Sequence, residues 1–350
     1  TSDDRFVASR IGSDEEVRDL VMAMGETGAG IFQLAMERGE MQKMMGVYRS
    51  LADLSKKSGR PVTFGSLSRK KYPGQWKALY DIIEEENQLG ARIWTQVHSR
   101  EINSILSFQT ATPFDSWDVW KDFRKLPLDE QLGKLKSDAS LKQKLIDIAD
   151  RPYDGPEIVG AEARPPEWDM FYHMDKIRLP HPSIAQIGKE RGITPAAAMI
   201  EVAIEDDLKA FFRQPLANEN QDDALALMKH PRSNVTFSDS GAHVSQIMDS
   251  SLQTHLLSHW VREREALTLE EAVRMITYDT ATNWGFHDRG LLREGMTADI
   301  TVFDADKVEP CMPTVENDLP SGSKRLKQYA DGMLATVVAG QTVLNEKKHT

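Results

Sequence analysis

Residues 61–98 read PVTFGSLSRKKYPGQWKALYDIIEEENQLGARIWTQVH, with two short apolar runs on either side of an amphipathic segment. The runs at 61–67 and 92–98 predict buried strands. Between them a helix is predicted from about Gln75, because apolar residues recur there at spacings of three and four. Gly90 ends this helix, and a glycine-ended helix that leads into a short apolar strand is typical of a parallel βα unit.

The same alternation extends to both sides of this unit. Residues 30–35 predict a strand and 44–54 a helix, and further along the chain 234–237 predict another strand. Thr194-Pro195 is a typical helix start, with a capping residue followed by proline at the first helical position. Further helices are predicted at 184–191, 195–212, 252–264 and 268–277. The chain therefore predicts an α/β body.

Two segments depart from this alternation. Residues from about 110 to 175 are rich in Trp, Pro, Lys and Asp, with a helical pattern at 128–149, and predict an insertion in the body. After residue 288 turn signals alternate with β-branched runs, and 334–344 predicts two strands joined by a tight Ala-Gly turn. We therefore expect an α/β domain at 1–287 and a small β segment at 288–350.

The composition excludes several classes of protein. The formal net charge of −11 over 350 residues argues against sequence-independent nucleic-acid binding, which needs clustered Lys and Arg. No apolar run approaches the ~20 residues that a membrane span requires. Cys311 is the single cysteine, which fits a reducing compartment, so we expect the cytoplasm, and it excludes a cysteine-rich zinc site. The sequence predicts no oligomeric state.

Asp239 is the strongest candidate for chemistry. It directly follows the predicted strand at 234–237, and polar residues at the carboxyl ends of parallel strands face the active site. Its small neighbours Ser238, Ser240 and Gly241 leave room for a ligand or metal. A carboxylate there can move a proton between water and a leaving amine. The structural alternative is an Asp that caps the next helix.

Several histidines and one arginine are weaker candidates. His98 ends a predicted strand and is either a metal ligand or a hydrogen-bonded structural residue. Arg100 suits a substrate carboxylate, and His243 is either a substrate contact or a loop residue. His255 and His259 share a helix face, but Leu256 stands where metalloproteases carry a Glu, so we interpret this pair as structural.

Five segments in the same order resemble the D-aminoacylase-like amidohydrolases: 238–244, 259–264, 270–274, 288–300 and 336–340. The pattern Gly-x-x-x-x-Gly-x-x-Ala-Asp-Ile-x-Val, which begins at Gly290, marks the wider superfamily at the return from barrel to β-sandwich. The resemblance covers about 230–350 well and 1–110 more loosely. Neither a phosphate-binding loop, a nucleophile elbow nor a dinucleotide-binding glycine motif occurs in the sequence.

The resemblance implies a fold, a cofactor and a reaction. The fold is α/β, a partial TIM-type (β/α)8 barrel with a small C-terminal β-sandwich segment. The cofactor is one or two divalent metal ions, usually zinc. The reaction is hydrolysis of the amide C–N bond of an N-acyl amino acid, especially a D-amino acid. By position Asp239 matches the family's metal-associated general base, and His98 falls near its strand-six ligand region.

Two departures from the family pattern bear on the site. The chain has no His-x-His pair, and residues 66–69 read Ser-Leu-Ser-Arg where the family usually has Ser-His-x-Lys. We expect that Thr1 begins inside the barrel and Thr350 ends inside the β-sandwich segment, so this chain alone would bind metal weakly and be inactive. The alternatives are hydrolysis of another bond, such as a cyclic amide or ester, and a degenerate, non-catalytic binding subunit.

Overall fold

A computed structural model describes residues 12–35, 41–153, 164–238, 241–242, 244–246, 250–345 and 348–349. The α-helices in these ranges are α1 Asp14–Glu26, α2 Met41–Ser58, α3 Gln75–Gln88, α4 Asp118–Phe123, α5 Leu128–Ser137, α6 Ala139–Ala149, α7 Ile184–Arg191, α8 Pro195–Glu205, α9 Gln221–Lys229, α10 Leu252–His255, α11 Leu269–Ile276 and α12 Tyr278–Asn283. A π-helix, Leu256–Glu263, continues α10, and a 3₁₀ turn spans Pro320–Gly322. The strands are β1 Phe32–Leu34, β2 Val62–Gly65, β3 Ile93–Val97, β4 Ile102–Leu106, β5 Tyr172–His173, β6 Phe212–Ala217, β7 Ser233–Val235, β8 Ile300–Phe303, β9 Glu309–Pro310, β10 Thr314–Glu316, β11 Arg325–Lys327, β12 Ala330–Asp331, β13 Met333–Val338, β14 Gln341–Asn345 and β15 Lys348–His349.

The predicted βα units form a four-stranded parallel sheet in the order β1-β2-β3-β7. Helices α2 and α3 cover one face, where Tyr48, Phe64 and Ile83 belong to one buried apolar cluster. Every residue of β2 and β3 is buried, which explains why both strands read as continuous runs rather than as alternating ones. The strand and helix predictions for residues 30–98 are thus confirmed.

A second, antiparallel sheet of three strands in the order β4-β6-β5 follows the parallel sheet. It contributes Leu106 and Phe212 to the largest apolar cluster, which helices α4 to α8 complete around Trp120 and Leu145. The helix predicted at 195–212 is wrong in its second half, because α8 ends at Glu205 and β6 begins at Phe212. The helix predicted at 128–149 is two helices, separated at Asp138, whose side chain caps α6.

The C-terminal strands are antiparallel. Strands β15-β14-β13-β8 form one sheet, and the predicted hairpin is confirmed, with Ala339 and Gly340 at φ 48° and 80° in the turn between β13 and β14. Arg262 in the π-helix donates to the carbonyls of Ala305 and Val308 at 3.1 and 2.9 Å, which fixes this segment against the α/β body.

The described residues form four adjacent parallel strands, which is an α/β arrangement but not a closed eight-stranded barrel. The TIM-type barrel is therefore not confirmed, and it stays a prediction together with the β-sandwich and the division at residue 288. Among the helices of the described ranges, none combines the length and the apolar character needed to cross a membrane.

Candidate functional site

The carboxyl ends of β2, β3 and β7 lie side by side. The Ser66 N–H donates to the Gln96 carbonyl at 2.8 Å, and the Phe237 N–H donates to the Val97 carbonyl at 3.2 Å. These bonds bring the chain after β7 next to His98, the residue that follows Val97. Asp239 and His243 lie outside the described residues, so the structure tests neither prediction.

The contact between Gly65 and Phe237 reinforces this arrangement. A Cβ atom built on Gly65 would lie 2.7 Å from Cε2 of the Phe237 ring. Any side chain at this position would displace the ring. Gly65 therefore permits the close approach of the segment that leads to Asp239.

His98 is buried and its ring is oriented by the backbone. Its Nδ1 accepts a hydrogen bond from the Arg100 N–H at 3.0 Å. Because a backbone N–H can only donate, the proton of a neutral His98 imidazole is on Nε2 in this arrangement.

The turn after His98 is anchored to the helix that starts at Leu252. The Ser99 hydroxyl donates to the Leu252 carbonyl at 2.7 Å, and the Trp260 indole N–H donates to the Ser99 carbonyl at 2.5 Å. The Arg100 guanidinium donates to the Ser251 hydroxyl at 2.7 Å. The Arg100 side chain is therefore held by a residue 151 positions further along the chain.

Asn218 is a site residue that the sequence analysis missed. It is fully buried, with φ 59°, and its Oδ1 accepts from the Ser68 N–H at 2.9 Å while its Nδ2 donates to the Arg100 carbonyl at 3.2 Å. It thus joins the segments that follow β2 and β3. The available signal was the residue type, since Asn tolerates the left-handed conformation better than most.

Arg100 lines a small cleft of about 30 Å³ together with Glu101, His181, Arg213 and His255. Arg213 forms an ion pair with Glu101, and it donates from Nε to Nδ1 of His181 at 2.8 Å. Burial raises the pKa of Glu101 and lowers the pKa of Arg213, and each charge moderates the effect on its partner. None of Glu101, His181 and Arg213 was predicted from the sequence.

The His255–His259 pair borders this cleft. The two rings stack with centroids 4.8 Å apart, and His259 Nδ1 is 3.1 Å from the Glu263 carboxylate. Both Nε2 atoms are buried and have no hydrogen-bond partner among the described residues. Burial, and then the positive charge of Arg100, hold the pKa of His255 well below its usual range. The structural role predicted for the pair stays a prediction.

Comparison with known proteins shows what the chain is similar to. Residues 189–344 match the model of the amidohydrolase family. The C-terminal part of the chain is therefore similar to this family. The chain is 51% identical over 55 residues to an N-acyl-D-glutamate deacylase of Alcaligenes xylosoxydans xylosoxydans, a stretch that covers 16% of this chain and 11% of that protein. It is 31% identical over 117 residues to an N-acyl-D-aspartate deacylase of the same organism, covering 33% of this chain and 20% of that protein.

Solved structures share the fold of this chain. A D-aminoacylase structure, described as having a binuclear metal center, superposes with a TM-score of 0.54 at 16% identity, covering 97% of this chain and 57% of that one. The N-acyl-D-glutamate deacylase of Bordetella bronchiseptica, complexed with zinc and a phosphonate inhibitor, gives 0.54 at 15% identity, covering 97% and 58%. This chain thus spans little more than half the length of these proteins.

The described residues of this chain do not by themselves fit a metal ion. Within the described ranges no three His, Cys, Asp or Glu side chains lie close enough together to hold one. Leu67 stands where the resemblance predicts a His; it offers no ligand atom and lines an apolar cleft beside Met44 and Trp76. The His98 Nδ1 is engaged by the Arg100 N–H. The described residues therefore support no catalytic step through a metal.

Proposed function

We propose that this protein hydrolyses a non-peptide amide C–N bond, that of an N-acyl amino acid and preferentially a D-amino acid, with Asp239 as general base and acid. One observation carries the proposal. The hydrogen bond from Phe237 N to Val97 O joins the strand that leads to Asp239 to the strand that leads to His98 and Arg100. The match of residues 189–344 to the amidohydrolase family and the similarity to deacylases support this chemistry.

The proposed reaction moves one proton across the site. The Asp239 carboxylate takes a proton from the attacking water, whose oxygen bonds to the acyl carbon, and then gives a proton to the nitrogen as the C–N bond breaks. Arg100 would hold a carboxylate of the substrate through its planar guanidinium, and His243 would contact the substrate. A divalent metal, zinc above all, held by Asp239 and His98 remains a prediction. Ligation through Nε2 would need that nitrogen to be unprotonated. The proton of the neutral His98 ring would then be on Nδ1, which could no longer accept from the Arg100 N–H.

A non-catalytic binding subunit is the second candidate. Two observations favour it: Leu67 stands at the family's histidine position, and the described residues contain no cluster of three metal ligands. A substrate-binding edge could persist in such a protein without turnover.

The test uses the full-length protein, assayed for metal content and for amine release from a panel of N-acyl-D- and N-acyl-L-amino acids. Replacing Asp239 by Asn should lower kcat about 10²-fold or more, because it removes the proton-transfer group. Asp318→Asn is the matched control, since Asp318 pairs with Arg325 in an exposed ion pair and should leave kcat unchanged.

Turnover that survives in Asp239→Asn would exclude the proposed role of this residue. Bound metal without turnover on the panel would remove the substrate class. A protein that neither binds metal nor releases amine would support the second candidate.

A further inference from the structure

The cleft beside Arg100 contains more positive than negative charge. Its charged lining consists of Arg100, Arg213 and Glu101, and both guanidinium groups stay protonated at any physiological pH. Glu101 is engaged by Arg213, whereas none of the ion pairs among the described residues includes Arg100. The charge of Glu101 acts on both arginines, so the lining of the cleft has an excess of one positive charge.

The neighbouring histidines do not change this balance. Burial and the charge of Arg213 lower the pKa of His181 to about 4, so its ring is neutral at pH 7. Its Nε2–H donates to the Lys176 carbonyl at 2.8 Å, while its Nδ1 accepts from Arg213. His255, another residue that lines the cleft, is also neutral, and its buried Nε2 has no partner in the described residues. A neutral ring protonated at Nε2 could donate there to an acceptor.

Carboxylates outside the cleft have partners of their own. Glu219 accepts from the Lys70 N–H at 3.2 Å, and its negative charge reaches the cleft, where it raises the pKa of Glu101. Glu309, next to the cleft residue Pro310, forms ion pairs with Arg178 and Arg262. Neither carboxylate is among the residues that line the cleft.

The size and the remaining lining of the cleft limit what can enter. About 30 Å³ is room for one or two water molecules, which matches a halide ion or a single carboxylate group. The rest of the lining is mostly apolar: Met174, Ile177, Leu179 and Pro310, with Gln221 as a polar exception. Such a lining disfavours a strongly hydrated, doubly charged ion such as sulfate.

We propose that the Arg100–Arg213 cleft is a binding site for one small monovalent anion, either a carboxylate group or a halide. Arg100 supplies a guanidinium that takes part in none of the ion pairs among the described residues, and Arg213 supplies a second one, shared with Glu101. The His255 ring lines the same cleft. The planar fork of a guanidinium matches a carboxylate in two parallel hydrogen bonds. If the anion is a substrate carboxylate, that part of the inference rests on the proposed function.

The test titrates the intact protein with sodium formate and, separately, with sodium chloride by calorimetry at constant ionic strength. Arg100→Gln should weaken anion binding about tenfold or more, because it removes a charged donor. Glu101→Gln should instead strengthen binding about tenfold, because it frees Arg213 from the competing carboxylate. Arg325→Gln, in the exposed pair with Asp318, should leave anion affinity unchanged.

The opposite signs protect the test against simple misfolding, since a damaged protein would lose affinity in both variants. Equal affinity in the wild type and Arg100→Gln, or weaker binding in Glu101→Gln, would overturn the site. A soak of crystals with sodium bromide should give an anomalous peak within hydrogen-bond distance of both guanidinium groups, and a peak elsewhere alone would also overturn it. Tighter formate than chloride identifies a carboxylate occupant, and the reverse identifies a halide; both outcomes support the site.

The two proposals can fail separately. Anion binding with the expected variant signs, but without amine release, would leave the anion site standing and remove the amidase function. Amine release with no anion binding, together with an unchanged KM in Arg100→Lys, would support the amidase function and remove the anion site.

Discussion

Replacing Gly65 by Ala should destabilise the fold at the edge that leads to Asp239. The new Cβ would lie 2.7 Å from Cε2 and 3.0 Å from Cδ2 of Phe237, whereas carbon atoms pack best at about 3.5–4.0 Å. The ring would have to move by roughly 1 Å. The half-buried ring can make this movement by rotating about χ1 and χ2 while its backbone stays bonded to Val97, at the cost of its present packing. Overpacking of this kind costs about 1–3 kcal/mol.

Urea unfolding of a double-mutant cycle measures this contact. We expect Gly65→Ala to lower the free energy of unfolding by about 1–3 kcal/mol, and Phe237→Leu to relieve at least half of that loss when the two are combined. Gly133→Ala is the matched control, because its Cβ meets nothing within 4 Å in the exposed middle of α5, and it should stabilise by about 0.5–1 kcal/mol. Additive effects in the cycle, or a neutral Gly65→Ala, would refute the argument.

Two further predictions concern His181 and Asn218. The pKa of His181 lies at about 4 in the folded protein against its ordinary 6.5, so its stability contribution is present above about pH 6.5 and is lost as the pH falls towards 4. Between pH 7 and 4 the wild type should therefore lose up to about 3 kcal/mol of unfolding free energy through His181, and His181→Gln should not show this loss. If urea unfolding gave the same pH dependence of the unfolding free energy for both proteins, the prediction would be contradicted. Asn218→Ala should cost about 2–4 kcal/mol, because it loses hydrogen bonds to Ser68 and Arg100 and retains φ 59°. Asn218→Gly should be less damaging by about 1 kcal/mol, and equal losses in denaturant titrations would exclude backbone strain as a cause.

The parallel sheet could be predicted because its local signals agree with its tertiary environment. Helix α3 begins at Gln75 as expected, and Trp76, Leu79 and Ile83 on its apolar face are buried. Gly90 takes φ 94°, a conformation that glycine adopts without strain, where the chain turns into β3. Hydrophobic period, helix stop and strand all indicate the same unit, so no long-range information was needed.

The error at 195–212 has a physical cause that was visible in the sequence. Thr194 caps α8 as predicted, accepting from the Ala197 N–H at 3.3 Å. The apolar residues beyond Glu205 then suggested a longer helix. Asp207 and Leu208, however, adopt φ 45° and 64° and reverse the chain. Consecutive acids at 205–207 oppose the helix dipole at a C-terminus, which is the signal that the apolar pattern obscured.

Because of the same error, Arg213 was not predicted as a residue of the charged cleft. Arg213 lies on β6, pairs across the sheet with Ile105 and Tyr172, and reaches Glu101 across 112 residues of sequence. With a helix predicted at 195–212, Arg213 follows the end of a helix, and nothing in that position indicates a partner near the strand-end His98. Arg100 lies in the short link between the parallel sheet and the antiparallel one, so its surroundings depend on both sheets. The sequence predicted the first sheet, which is built from local βα units, and therefore identified Arg100. It could not identify Arg213 without the pairing of β4 with β6, and that pairing is the step that turns a single strand-end arginine into a buried cationic cleft.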